Sequence, residues 1–201
     1  MSVPMTKTAW EDPATRWGCR RTVLFRLGFF LFSIGLLVGW LYVNVVFLTP
    51  MWLWVTFPLF LVLLYVWMTA LGQLLSVRRL RRILRVYPWQ PVRGAARIAK
   101  NGSTRFTFQD PERPEKQVSL MAGDWLGGRC TFWVRAVKAG SVDEVWFAGD
   151  PRFLGVVATP GPRRLAPLVQ PEAANDRMSA RKRGVGPEAR ERARAAGARV
   201  G

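Results

Sequence analysis

The chain of 201 residues has no histidine. That removes the commonest general base and the commonest metal ligand, and with them most hydrolase and metalloenzyme sites. Cysteine is almost as scarce: Cys19 and Cys130 stand far apart, so neither a disulfide framework nor a zinc-ligand spacing can be built, and no metal site is expected. Acidic residues are few, 13 Asp and Glu against 30 Lys and Arg, for a formal net charge of +17. Motifs of the G-x-S-x-G, C-x-x-C and Walker types are missing too. These absences point away from an enzyme and from any bound cofactor. Arginine outnumbers lysine, and Ala, Gly and Pro are abundant, as a high-GC coding sequence also produces. Part of the positive charge therefore needs no polyanion to explain it.

A further absence is local. The 51 residues from Leu27 to Val77 carry no charge. A spanning helix needs about 20 apolar residues, so the run suits two helices. The stretch "FLTPMW" divides them, since Thr49 and Pro50 interrupt the pattern and proline fits the first turn of a new helix. The spans are expected at Val23 to Phe47 and Trp52 to Ser76, a transmembrane hairpin. Retention in the membrane is expected rather than cleavage as a signal peptide, because the apolar part is longer than a signal core and no small-x-small site follows it.

Arg16, Arg20, Arg21 and Arg26 precede the first span, Arg78, Arg79, Arg81, Arg82 and Arg85 follow the second, and the connecting loop is uncharged. Positive residues beside spans stay in the cytoplasm, so both termini are expected on the cytoplasmic side of the membrane. Trp40, Tyr42, Trp52 and Trp54 suit the outer interface. In "VRRLRRILRVY", Val77, Leu80, Ile83, Leu84 and Tyr87 recur at helical spacing. This face is expected to lie on the bilayer while Arg78, Arg79, Arg81, Arg82 and Arg85 contact anionic headgroups. Gly28, Gly35 and Gly39, with "GLLVG" a G-x-x-x-G pattern, are expected to pack a helix closely, either the second span near Ala70 and Gly72 or a second copy.

Beyond "YPWQP" the pattern becomes one of short strands with turn signals about every ten residues. "VRGAARIAK" and "STRFTFQD" flank the hairpin pair Asn101-Gly102, "PERP" turns into "KQVSLM", and "RCTFWVRAVK", "DEVWFAGD" and "LGVVAT" complete about six strands. Phe106, Phe108, Val118, Leu120, Phe132, Val134, Val145, Phe147, Val156 and Val157 are the expected core. The fold class is α+β: a transmembrane helical hairpin followed by a small all-β domain, an SH3- or OB-like barrel or curled sheet. Its parts are a cytoplasmic N-terminal segment (1–22), the hairpin (23–76), a basic amphipathic helix and linker (77–91), the β domain (92–170) and a disordered basic tail (171–201), which is at most transiently helical near "PEARERARAA".

The domain's carboxylates, among them Asp110, Glu112, Asp124 and Asp150, fall mostly in turns, where acidic residues serve the backbone. Asp143 and Glu144 are neighbours that a strand would point to opposite faces, and "GDWLGG" lacks a P-loop lysine.

"YPWQPVRGAARI" and "VWFAGDPRFLGVVATPGPRRL", with its "AGDPR" turn, resemble stretches of uncharacterised actinobacterial integral membrane proteins that have two spans and a small cytoplasmic domain. The resemblance covers about residues 20 to 170 and implies no activity. The layout is also similar, by analogy alone, to bacterial proteins that hang an OB-fold from a membrane hairpin and organise membrane complexes. The expected function is that of a non-enzymatic adaptor or accessory subunit, working with anionic lipid and with a membrane-protein partner or a second copy. The alternative is a membrane-tethered nucleic-acid binder using basic and aromatic residues on the domain.

Overall fold

The structure is a computed structural model and describes residues 7–47, 53–99, 104–112, 114–122, 131–169 and 186–198. A 3-10 turn at Ala9–Glu11 leads into α1 (Pro13–Phe47), and α2 (Leu53–Val86) returns antiparallel to it. Strands β1 (Gln90–Arg93), β2 (Ala96–Ile98), β3 (Thr104–Gln109) and β4 (Gln117–Ala122) follow. Next come α3 (Thr131–Lys138), β5 (Glu144–Asp150), β6 (Leu154–Thr159), β7 (Arg163–Val169) and α4 (Pro187–Ala195). The layout is α+β: two long apolar helices, then one curled, wholly antiparallel sheet in the order β1-β5-β6-β7-β4-β3-β2, half of a barrel.

Helix α1 begins before the uncharged run because "DPAT" starts a helix well. Pro13 occupies the first turn, and the Asp12 carboxylate accepts hydrogen bonds from the Ala14 and Thr15 amides at 3.2 and 3.0 Å. Pairs down the hairpin fix its register: Phe30 stacks with Trp67, Trp40 with Phe60, and the Thr56 hydroxyl donates to Asn44 Oδ1 at 2.8 Å. Both helices are long and apolar enough to cross a membrane. The dividing loop at Thr49 and Pro50, with Trp52, lies outside the described residues. Trp40 is turned onto Phe60 within the hairpin, whereas Tyr42 is exposed.

The sheet is covered on both faces, so the central strands β5 and β6 are buried almost residue by residue, and only β3 shows clean alternation. The inner face holds Phe106, Phe108, Leu120, Val145, Phe147 and Val157. The outer face, with Trp146, Ala148, Val156 and Ala158, meets Val77, Leu80, Ile83 and Leu84 of α2. Gly149 and Gly155 stand opposite each other in β5 and β6, and a Cβ on Gly155 would collide with the Phe147 ring.

Several expectations are corrected. "TFWVRAVK" is helix α3, not a strand: Trp133 and Ala136 are buried three residues apart, and Trp133 meets Phe106 edge-on at 5.3 Å, so Phe132 and Val134 are only partly buried. Cys130 and Asn101-Gly102 lie outside the described residues. The domain is therefore not all-β, and it gains a strand, β7, which contains Pro167. Pro167 is tolerated because β4 pairs with β7 only at Leu168 and Val169. "VRGAARIA" is not one straight strand. It bends at Gly94, where φ is +63°, into β1 and β2, which are the two opposite edges of the sheet. Residues 13–22 are the first turns of α1 rather than a separate segment, and α2 runs unbroken to Val86 through the expected juxtamembrane helix. Within the expected disordered tail, α4 packs Ala189 and Ala193 into the core beside α2. The remainder of that tail, 171–185 and 199–201, is outside the described residues.

Candidate functional site

Three features gather where the hairpin meets the sheet: a cationic collar, a carboxylate cluster around one arginine, and a cleft at the open side of the half-barrel.

The collar is built by the antiparallel register. Cys19 on α1 lies at the level of Arg81 on α2, and Arg26 at the level of Gln73 and Ser76. Exposed Arg16, Arg20 and Arg21 therefore stand level with exposed Arg78, Arg79, Arg82 and Arg85. Arg21 lies over the Trp17 ring at 5.7 Å and Arg85 over Trp10 at 5.4 Å, arrangements that hold a cation beside an amphipathic ring. Above the collar the outward surface is apolar: Leu24 to Val46 on α1 and Phe57 to Leu75 on α2 expose large hydrophobic side chains. At 1.5 Å per residue these stretches are about 33 and 27 Å long, close to the roughly 30 Å of a bilayer's hydrocarbon.

Of the five arginines expected at headgroups, Arg78, Arg79, Arg82 and Arg85 are exposed and Arg81 is half-buried. Their apolar companions do not lie on a bilayer. Val77, Leu80, Ile83, Leu84 and Tyr87 are buried against the protein's own sheet, which offers Trp146, Ala148 and Val156 to the same spacing. Arg26 faces inward, donating to the Gln73 carbonyl at 2.7 Å and to the Ser76 hydroxyl. Gly28, Gly35 and Gly39 do not meet the second span: all three are exposed, and a Cβ on any of them would have nothing within 4 Å. The close approach is made instead by Gly18, where an added Cβ would lie 2.5 Å from the Pro162 carbonyl oxygen of the β6–β7 turn. The hydrophobic pattern gave no sign of Gly18, which sits among arginines.

Beside α2 the Trp89 indole N–H donates to Thr15 Oγ1 at 2.8 Å, and that hydroxyl donates in turn to Asp12 at 2.8 Å. This buried chain ties the strand entry to the start of α1. The Tyr87 hydroxyl is also buried, with no hydrogen-bond partner among the described residues. Burial, and then the Asp150 carboxylate, push its pKa up to about 12.

The "AGDPR" turn between β5 and β6 holds the second feature. Arg152 is 3% exposed, and its guanidinium grips Asp150 through two hydrogen bonds, Nε to Oδ1 at 3.0 Å and Nη2 to Oδ2 at 2.8 Å. Its Nη1 meets Glu112 at 2.7 Å and lies 3.9 Å from Asp110. Burial opposes the charge, but the hydrogen bonds to Asp150 and Glu112 outweigh it and hold the pKa above that of an ordinary arginine. Carboxylates expected to be scattered are thus partly gathered, in two adjoining turns, but around a cation that occupies them. Among the described residues no group of three acidic or cysteine side chains could hold a metal ion. Glu144 is half-buried, accepting from the Trp146 indole at 3.2 Å and lying 3.8 Å from Arg93. Asp124 and "GDWLGG" lie outside the described residues.

The third feature is a cleft of about 770 Å³ between β1 and β3, running from the bend at Gly94 to the Arg152 cluster. Phe108 and Phe147 lie along it, their rings stacked at 4.1 Å, and exposed Arg93, Arg97 and Arg192 stand at its rim. The chain matches no protein-family model, no curated protein and no solved structure.

Proposed function

We propose that the chain is a two-span protein of the bacterial plasma membrane, with both termini in the cytoplasm, that presents its half-barrel domain at the inner surface as a non-enzymatic adaptor or accessory subunit. The observation that carries this reading is the level of the collar. Seven exposed arginines from two helices share one band that borders the apolar belt, at the level where the folded domain packs against the same helices. Such a ring suits anionic headgroups and retains the flanking chain in the cytoplasm. The uncharged connection and the near-bilayer length of both belts agree with it. The finer identity of the domain as an SH3- or OB-like barrel belongs to the same proposal, as does the kinship with actinobacterial two-span proteins.

The non-enzymatic part rests on chemistry: the buried carboxylates are held by Arg152, and there is no histidine to act as a base near neutral pH. The partner is a second membrane protein or a second copy. The outward glycines of α1 leave a lane where another helix can come close.

Crosslinking in intact cells, then nuclease treatment and purification in mild detergent, tests the reading. A stoichiometric protein partner that survives nuclease and high salt is expected. Nucleic acid recovered instead, with binding that falls steeply with salt, would replace it with the membrane-tethered nucleic-acid binder that the basic domain also suits.

A further inference from the structure

The bend at Gly94 makes β1 and β2 two halves of one stretch, yet they pair with opposite ends of the sheet, β1 with β5 and β2 with β3. The sheet therefore curls until its first and last edges meet at Ala95, whose carbonyl accepts from the Thr107 amide at 2.8 Å. Beyond that point the edges diverge. The Gly94 amide donates to Asp143, on the β5 side, so by alternation the main-chain groups of Pro91 and Arg93 turn away from β5. The Asp110 amide donates to Lys116, on the β4 side, so those of Gln109 turn away from β4. Both sets face the cleft, and among the described residues no strand pairs with either edge there. Unpaired strand edges facing each other are a template for a further strand.

The side chains sort by face. Val92, Phe108 and Phe147 belong to the inner core, while Arg93 and Arg97 are on the outer, exposed side. A strand lying in the cleft would alternate in the same way, one side chain in and the next out. We propose that the cleft takes an extended segment of a partner polypeptide, about four residues long at roughly 3.3 Å each. Its inward residues are apolar and rest on Phe108 and Phe147, and its outward residues are acidic and face Arg93 and Arg97. The Arg152 cluster closes the far end, its bidentate grip on Asp150 fixing the β5–β6 turn as a wall.

The proposal rests on the adaptor reading for its biological meaning but is tested separately, on the full chain in non-ionic detergent. Fluorescence anisotropy with labelled octapeptides of alternating Val and Glu, or Val and Lys, measures recognition. The acidic peptide is expected to bind about tenfold more tightly than the basic one, and the order is expected to reverse in an Arg93→Glu, Arg97→Glu variant. N-methylation of alternate amides of the acidic peptide is expected to weaken binding about tenfold, since strand addition depends on main-chain hydrogen bonds. Amide exchange at Arg93 and Gln109 in the unaltered protein should slow when that peptide is added. Equal binding of the N-methylated and parent peptides, unchanged exchange at these amides, or tighter capture of a single-stranded oligonucleotide lost in the arginine variant would each overturn the proposal. If cells yield a partner that crosslinks only away from the cleft, the adaptor stands and the cleft proposal falls. Strong peptide binding with no protein partner in cells removes the adaptor reading alone.

Discussion

Arg152 shows how much one residue can hold. Exchanging it for methionine keeps most of the volume but leaves Asp150 and Asp110, both under 10% exposed, without the cation they share. Uncompensated buried charge costs about 3–5 kcal/mol, so Arg152→Met should lower the thermal midpoint strongly, with partial recovery in an Arg152→Met, Asp150→Asn pair. Tyr87 argues in the opposite direction. Its phenol has no hydrogen-bond partner among the described residues and a pKa raised from about 10 to about 12, so the folded state holds the proton longer than the unfolded chain does. Stability from this group is complete below pH 10 and is lost as pH rises from about 10 to 12. Tyr87→Phe should leave the neutral-pH midpoint unchanged or higher and flatten the alkaline loss, which a pH series of thermal melts would read. Gly18→Ala places a methyl against the Pro162 carbonyl, and the overpacking should cost about 1–3 kcal/mol and loosen the β6–β7 turn, visible as faster amide exchange there.

At the scale of elements, α4 stands on little. Its buried side chains are alanines, Ala189 and Ala193, with Ala196 just beyond, so Ala193→Asp should release it from α2 while the sheet stays folded. Limited proteolysis would then cut between residues 186 and 198 in the variant and spare the parent. The helices of the hairpin were legible because a long uncharged run flanked by arginine admits few other structures. Strands β3 to β6 were legible as short segments set off by turn residues. What stayed hidden depended on partners distant in sequence. "TFWVRAVK" alternates well enough for a strand, and only the place of Trp133 against Phe106 favours the helix. The apolar spacing of 77–87 was read correctly as a helical face, but periodicity cannot say whether lipid or a sheet covers it. The same limit applied to the candidate site. "AGDPR" stood out as a turn, whereas Arg152's grip on Glu112 needs two turns forty residues apart to meet.

For the molecule as a whole, the collar should decide orientation. On the proposed topology, with Arg78, Arg79, Arg82 and Arg85 changed to glutamate the hairpin keeps its apolar belts but loses much of the bias that would hold its flanks in the cytoplasm. Impermeant maleimide applied to intact cells should then label a cysteine placed at Ser2, in a chain whose own two cysteines are serine, but leave it unlabelled when the arginines are present. Unchanged protection in the glutamate variant would show that something other than this charge sets the topology.

The core on the outer face of the sheet draws on residues from Ala9 to Ala196. During synthesis, the hairpin leaves the ribosome long before β5, β6 and α4, so the apolar stripe of Leu80, Ile83 and Leu84 waits uncovered for a sheet still to be made. A chain stalled after α2 would display that stripe beside a row of arginines, a signature by which proteolytic surveillance could tell unfinished molecules from finished ones.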